Sequence, residues 1–361
     1  MKTISRNLLL LAMNCSLASS FAASSFTGLG GLPGGDGRSF VGGVNSDGSV
    51  VVGWAPMPGG HQAFRWTSAG GMVGLGYLRS ECKVSCAFAV SNDGSVIVGL
   101  AATDGPQAFC WTARSGMVGL GYLPGGSRIS SAKAVSGDGM VVVGESYDST
   151  SCIQAFRWTA TGGMVGLGHL AGGHHRYSEA EAVSRDGSVV VGRSTCSSGD
   201  QAFRWTAAGG MVGLGYLPGG TNSNAKAVFS DGSVIVGVSD SAKGDQTFRW
   251  TAASSMIGLG NMRGGSYESV VTAVSGDDSL VVGGSFTSSD NKSVKAFIWD
   301  PANGMRNLQS VLTKEYHFDL TGWELERATA ISSDGKTIIS IGEHNGKTEA
   351  WVAHLNKLVN R

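Results

Sequence analysis

Three charged side chains stand at one repeated place in this 361-residue chain, immediately before an Ala-Val pair: Lys133, Glu181 and Lys226. Alternating Lys, Glu and Lys permit two chemistries: a self-neutralised ring of ion pairs, or a polar funnel that orients a ligand. His174, His175, Arg176 and Tyr177 lie in the loop before Glu181 and are the natural companions of a funnel. The same region holds Glu145, Glu179, Glu181 and Glu268. Two carboxylates about 5–10 Å apart are what glycoside hydrolysis requires, so these four are the candidate suppliers of that chemistry. Exposed aromatics on variable loops favour glycan binding, and Tyr147, Tyr177 and Tyr267 are available.

Metal and sulfur chemistry come next. Cys82 and Cys86 read as sharing one loop, while Cys152 and Cys196 occupy equivalent loops of neighbouring modules, so each pair is a candidate disulfide. Neither Cys82/Cys86 nor His174/His175 has the further ligands that a closed metal site needs. The expected sites are therefore ligand-binding, with no catalytic residue, metal or cofactor. The arginines Arg65, Arg157, Arg204 and Arg249 recur at one strand position and read as structural. His317, Glu324 and Glu326, in a charged segment near the end, read as solvated surface.

What must position these residues is a repeat. Tryptophan recurs at Trp66, Trp111, Trp158, Trp205, Trp250, Trp299 and Trp351 at spacings of 45 to 52 residues. The first five are near-copies with a short inner strand such as Ala134-Val135-Ser136, an Asp-Gly turn, a Val/Ile run, a strand like Gln-Ala-Phe-Arg-Trp-Thr and one like Met-Val-Gly-Leu-Gly, while the sixth has Asp277-Asp278 at the turn. Asp-Gly between apolar runs is a strong hairpin signal. A continuous Val run signals a strand buried on both faces. Four short strands per period of this length predict a propeller blade.

Seven such modules predict an all-β fold, a single seven-bladed β-propeller of four-stranded blades. Thr27-Gly28-Leu29-Gly30 is an outer strand without a blade, and the module around Trp351 is a blade without an outer strand. Pairing the N-terminal strand with the C-terminal blade closes the ring and removes both edges. Residues 309–329 form a long connection, at the start of which Leu308, Val311, Leu312 and Tyr316 follow helical spacing, predicting a short helix.

Lys2 and Arg6, the apolar stretch Leu8 to Met13, and Ser20-Phe21-Ala22 predict a signal peptide over 1–22, leaving 23–361 as the propeller. No later run is long enough for a transmembrane segment. Charged residues make up only 15%, and 27 basic residues balance 27 acidic ones, so bulk charge gives no attraction to nucleic acid. The protein is expected to be exported, to an extracellular or periplasmic location, and monomeric.

The module resembles the HAF repeat of bacterial exported proteins. Gln62-Ala63-Phe64, Gln107-Ala108-Phe109, Gln154-Ala155-Phe156 and Gln201-Ala202-Phe203 match its core with Gln in place of His. Met211 to Gly220, Ala182 to Gly192, Asp319-Leu320-Thr321-Gly322-Trp323 and Ala328 to Gly335 are also similar. The resemblance implies an extracellular repeat protein and transfers no catalytic residue. The expected function is a binding module acting through the face where connections vary. A glycan, a cell-envelope component or a host-surface protein is the expected partner. A polysaccharide-directed hydrolase and a structural envelope or matrix protein are the alternatives.

Overall fold

The computed structural model describes residues 24–173, 176–260, 269–277, 279–286 and 294–355. The expected signal peptide therefore lies outside the described residues. The chain forms seven four-stranded antiparallel sheets. Blades 1 to 6 span residues 40–74, 85–119, 130–166, 178–213, 223–258 and 269–307, and within each the strands pair in chain order from inside to outside. Blade 7 is made of Trp323–Ile331, Thr337–His344 and Lys347–His354, with Ser25–Gly28 as its outer strand.

The module's residues explain its geometry. Val142 and Val143 of the second strand are fully buried, as the unbroken apolar run requires. Gly144 follows because a Cβ there would lie 2.0 Å from the carbonyl oxygen of Ser131 on the inner strand. Phe156 of the third strand is also fully buried. The side-chain amide oxygen of Gln154 folds over the outer strand so closely that it leaves no room for a Cβ on Gly166. That contact links Gln-Ala-Phe to the glycine after Met-Val.

The Ser-x-Asp-Gly turns are self-capped. In blade 3 the Ser136 hydroxyl donates to Asp138 Oδ1 at 2.6 Å, Met140 N–H donates to the same oxygen at 2.9 Å, and Val141 N–H donates to Ser136 Oγ at 2.9 Å. Gly139 has φ 75°, the left-handed conformation that glycine adopts without penalty. These turns also grip one another around the axis. Ser46 N–H donates to Asn92 O, Asn92 N–H to Gly137 O, Gly137 N–H to Arg185 O and Arg185 N–H to Ser230 O. Ser230 Oγ donates to Gly276 O. Gly276 N–H to Ser333 O and Asp334 N–H back to Ser46 O complete the circuit.

A second set of bonds fastens each blade to the next. Ser130, fully buried, accepts from Ala108 N–H at 2.9 Å and donates to Gly121 O at 2.7 Å. Ser85, Ser178 and Ser223 do the same at their seams. Ser130→Ala strips both partners of a buried bond. It should lower stability by about 1–3 kcal/mol, read by thermal or urea unfolding. An unchanged midpoint would mean that water replaces the hydroxyl.

The ring closes as expected from the sequence. Ser25 pairs with His354, Phe26 with Ala353, Thr27 with Val352 and Gly28 with Trp351. Leu29 and Leu32 then run into the core between blades 7 and 1 with Val352 and Trp66. The helix is present at Leu308–Glu315, N-capped by Asn307 and burying Leu308, Val311 and Leu312. The inner strand of blade 7 is longer than expected, starting at Trp323 because Leu325 and Ala328 continue the core there.

One repeat assignment is corrected. Trp351 is not the counterpart of Trp66. It pairs with Gly28 as Phe64 pairs with Gly74, and it fills the fully buried Phe slot. Phe26 of the closing strand stacks on the indole at 5.3 Å, so the larger ring fills space that the N-terminal strand shares.

Candidate functional site

Every inner strand carries a β-bulge where two of its residues oppose one on the second strand. In blades 3, 4 and 5 the register shifts at Ala132/Ala134, Ala180/Ala182 and Ala225/Ala227. Lys133, Glu181 and Lys226 are the bulged residues, and a bulge re-aims its side chain out of the alternation. Gly42, Phe88 and Thr272 stand at the corresponding shifts of blades 1, 2 and 6, and Thr329 at that of blade 7. Contacts run between neighbours: Lys226 Nζ bonds Glu181 Oε1, and Thr272 Oγ1 donates to Ala328 O at 2.6 Å. The repeated position thus forms a ring around the axis.

The ring is not uniformly self-paired. Glu181 and Lys226 neutralise one another, but Lys133 turns to its own blade and meets Glu145 Oε1 at 3.3 Å. Its ammonium also lies 5.9 Å from the Phe88 ring centroid. Beside this pair a cleft of ≈ 350 Å³ opens between blades 2 and 3, walled by Phe88, Leu100, Pro106, Ile129, Tyr147 and Ile153. Ile129 is 39% exposed at its lip. A second cleft of ≈ 430 Å³ adjoins blades 4 and 5, lined by Arg193, Asp200, Asn222, Lys226, Asp240 and Asp245.

Between the clefts sits a network that the sequence reading only half found. Tyr177 donates its hydroxyl hydrogen to Glu179 Oε2 at 2.7 Å, and Arg193 Nε donates to Glu179 Oε1 at 2.6 Å. The same guanidinium reaches Tyr177 Oη at 3.1 Å and Asp200 Oδ2 at 3.2 Å, and covers the Tyr177 ring at 5.1 Å. Burial works to raise the Glu179 carboxyl, but the Tyr177 hydrogen bond and the Arg193 charge outweigh it and hold it below the usual carboxylate range. Burial, with Glu179 beside it, pushes the Tyr177 phenol above its ordinary value. Arg193 was missed because its role depends on strand register, which places it opposite Glu179.

The remaining candidates fall elsewhere. Arg176 is exposed, while His174, His175, Tyr267 and Glu268 lie outside the described residues. His317, Glu324 and Glu326 are exposed, as expected, with Glu324 bonded to Lys295 at 3.2 Å. Neither expected disulfide is formed: Cys82, Cys86, Cys152 and Cys196 are free thiols. Cys86 is not in the loop of Cys82 but in the inner strand, where it pairs with Leu100 and burial pushes its thiol up to about 11. Cys152 occupies the connection between second and third strands and Cys196 is the last residue of its second strand, opposite Gly199; the first thiol bonds Thr150 O and the second bonds Ser198 and Tyr216.

The opposite face carries a broader depression of ≈ 710 Å³ ringed by Asp93, Asp138, Asp186 and Asp231. Their carboxyls are held low by the hydroxyl and N–H groups of their own turns. Those acceptors are already used by the scaffold, and the turns are near-copies. The turns differ mainly at one position, filled by Asn92, Gly137, Arg185 and Ser230, whereas whole connections differ on the other face.

No family model matches this chain, and no characterised protein matches it in sequence. Among solved structures it is similar to an oligogalacturonate lyase in complex with manganese, with TM-score 0.56, 13% identity, and 93% of this chain and 98% of the lyase covered. A prolyl endopeptidase is similar at TM-score 0.58 and 10% identity, covering 94% of this chain and 51% of that one. TolB from Acinetobacter baumannii aligns at TM-score 0.46 and 12% identity over 73% of this chain, which spans 60% of TolB. By fold, this chain is a seven-bladed β-propeller. At these identities the likeness is one of architecture, so the function of the propeller rests on its own residues. No helix among its described residues is long and apolar enough to cross a membrane.

Proposed function

We propose that this propeller is an exported binding module, akin to the HAF-repeat proteins its modules resemble, and that it engages its partner on the variable-loop face. The carrying observation is the contrast between faces. One face is a set of self-capped turns, while the other gathers two clefts, the Lys133–Glu145 pair and the Tyr177–Glu179–Arg193 network around the mouth of the central ring.

Binding is favoured over glycan hydrolysis by the state of the carboxylates. Glu145 is matched to Lys133, Glu179 to Arg193 and Glu181 to Lys226. A general acid needs a carboxyl raised toward neutrality, and Glu179 is held the other way by Tyr177 and Arg193. An export signal at residues 1–22 fits a partner among glycans, envelope components or host-surface proteins.

The test is an array of glycans, cell-envelope fractions and peptides probed with the mature protein, run beside a hydrolysis screen. With a captured partner, Lys133→Ala, Glu181→Ala and Tyr177→Ala should each weaken binding about 5-fold or more, as interface residues worth over 1 kcal/mol do. Full affinity in all three folded variants would move the site away from the ring, with residues 309–329 the next place to look. Turnover of any glycan would reject the non-enzymatic reading.

A further inference from the structure

We infer that the cleft between blades 2 and 3 seats an apolar side chain of a polypeptide partner, and that basic residues flanking this anchor meet the acidic cleft of blades 4 and 5. This rests on the binding-module reading and names the class of partner. Three observations carry it.

First, the cleft is walled by aliphatic and aromatic carbon, and Ile129 stands 39% exposed at its lip on the face where recognition is expected. Its ≈ 350 Å³ suits one large side chain entering between blades. A deep apolar pocket filled by a single anchor is the usual centre of a protein interface.

Second, the polar groups at its floor match a peptide bond. Lys133 Nζ and Glu145 Oε1 lie 3.3 Å apart, a donor and an acceptor side by side, and both keep part of their surface exposed. An amide presents one acceptor and one donor in the same arrangement. A sugar would instead set several hydroxyls against the walls of Leu100, Pro106, Ile129 and Ile153, where they lose water, and the lining hydroxyls of Ser130 and Ser146 are already bonded to backbone. Four aromatic rings that could serve as platforms for sugar stacking are engaged, while Tyr147 forms part of the cleft wall itself. Phe88 carries the Lys133 ammonium, Tyr177 carries the Arg193 guanidinium, and Phe40 and Trp54 stack on each other at 4.1 Å.

Third, charge is unequal between the clefts. Lys133 and Glu145 balance, whereas the second cleft is lined by Asp200, Asp240 and Asp245 against Arg193 and Lys226, and those two cations already pair with Glu179 and Glu181 beside it. A partner segment with Lys or Arg next to its anchor gains from that excess, and an acidic one is repelled.

The experiment uses the mature protein and dye-labelled nine-residue peptides read by fluorescence anisotropy. Their centres are Leu, Ile, Phe or Ser, and their flanks are Lys or Glu; a panel of neutral and acidic oligosaccharides runs in parallel. Lys-flanked apolar peptides should bind at least 10-fold tighter than Ser-centred or Glu-flanked ones, and more weakly as salt is raised. Ile129→Asp should abolish that binding and Ile129→Met should retain it, with circular dichroism reporting an intact fold in both. Oligosaccharide binding that needs Lys133 or Tyr177, with no peptide binding, overturns the polypeptide inference and leaves the binding-module reading standing. Peptide binding indifferent to Ile129→Asp also overturns it. No binding of any probe or envelope fraction at the variable face sinks both.

Discussion

Removing residues 24–32 should lower the melting midpoint by about 10 °C or more. The deletion takes away Leu29 and Leu32, both buried between blades 7 and 1, and Phe26, which stacks on Trp351 and lies edge-on to Trp323 at 5.2 Å. Losing buried side chains of this size costs about 2–5 kcal/mol each, so a total above about 5 kcal/mol is expected even with partial repacking. For a domain of this length about 2 °C of midpoint accompanies each kcal/mol. The deletion also bares the edge of Lys347–His354, inviting association through an unpaired strand. It further strips Glu349 of the Gly30 N–H that its side chain accepts at 3.0 Å. A synthetic peptide of residues 24–32, added in trans, should restore much of the midpoint by re-forming the outer strand. Melting of the deleted protein at the wild-type temperature would refute closure by this strand.

The second large effect is expected from Arg193→Met. Glu179 is only 8% exposed, and the substitution leaves its carboxylate with Tyr177 and the more distant Lys226. Removing one partner of a buried pair costs about 3–5 kcal/mol, and a guanidinium that is 35% exposed places this case nearer 2 kcal/mol. The pH dependence separates electrostatics from lost packing. In the native protein the Glu179 carboxyl is held below its unfolded value of about 4.3, so its contribution is complete above that pH and fades as pH falls through the folded value. In Arg193→Met burial is less opposed and the carboxyl moves upward, so the variant is relieved by protonation. The stability gap between the two proteins should therefore be widest at neutral pH and narrow below about pH 4. A gap of constant size from pH 7 to pH 3 would assign the effect to packing.

Much of this molecule could be read before its shape was known. The period, the four strands, the Asp-Gly turns and the helix at Leu308–Glu315 all follow from local pattern, because each depends on residues within a few places of one another. Even the orphan strand was legible, since a missing outer strand at one end and a spare one at the other have a single mutual solution. The ring of Lys133, Glu181 and Lys226 was visible too, because a repeat puts the same module position in the same place in every blade.

What the sequence withheld concerns pairing between distant residues. Lys133 lies in register with no acidic neighbour in sequence, and its partner Glu145 is reached only by folding one strand onto another across a bulge. Trp351 was misread as a repeat tryptophan, since spacing alone cannot distinguish a Trp slot from the Phe slot two residues earlier. The buried serines Ser85, Ser130, Ser178 and Ser223 look like ordinary loop residues, yet each holds two blades together. Cys152 and Cys196 stay apart because similar positions in neighbouring modules do not bring two thiols together, and Cys82 and Cys86 because the second is drawn into the inner strand.

By itself, then, the sequence determined a closed ring of like modules and which of its two faces is free to vary, because both are consequences of repetition. Only the tertiary structure decided where that face is hollow, which cation neutralises which carboxylate, and which seam leaves an apolar wall open to a partner. Those depend on side chains from different blades meeting at one place, where register and bulges, rather than the period, set the distances.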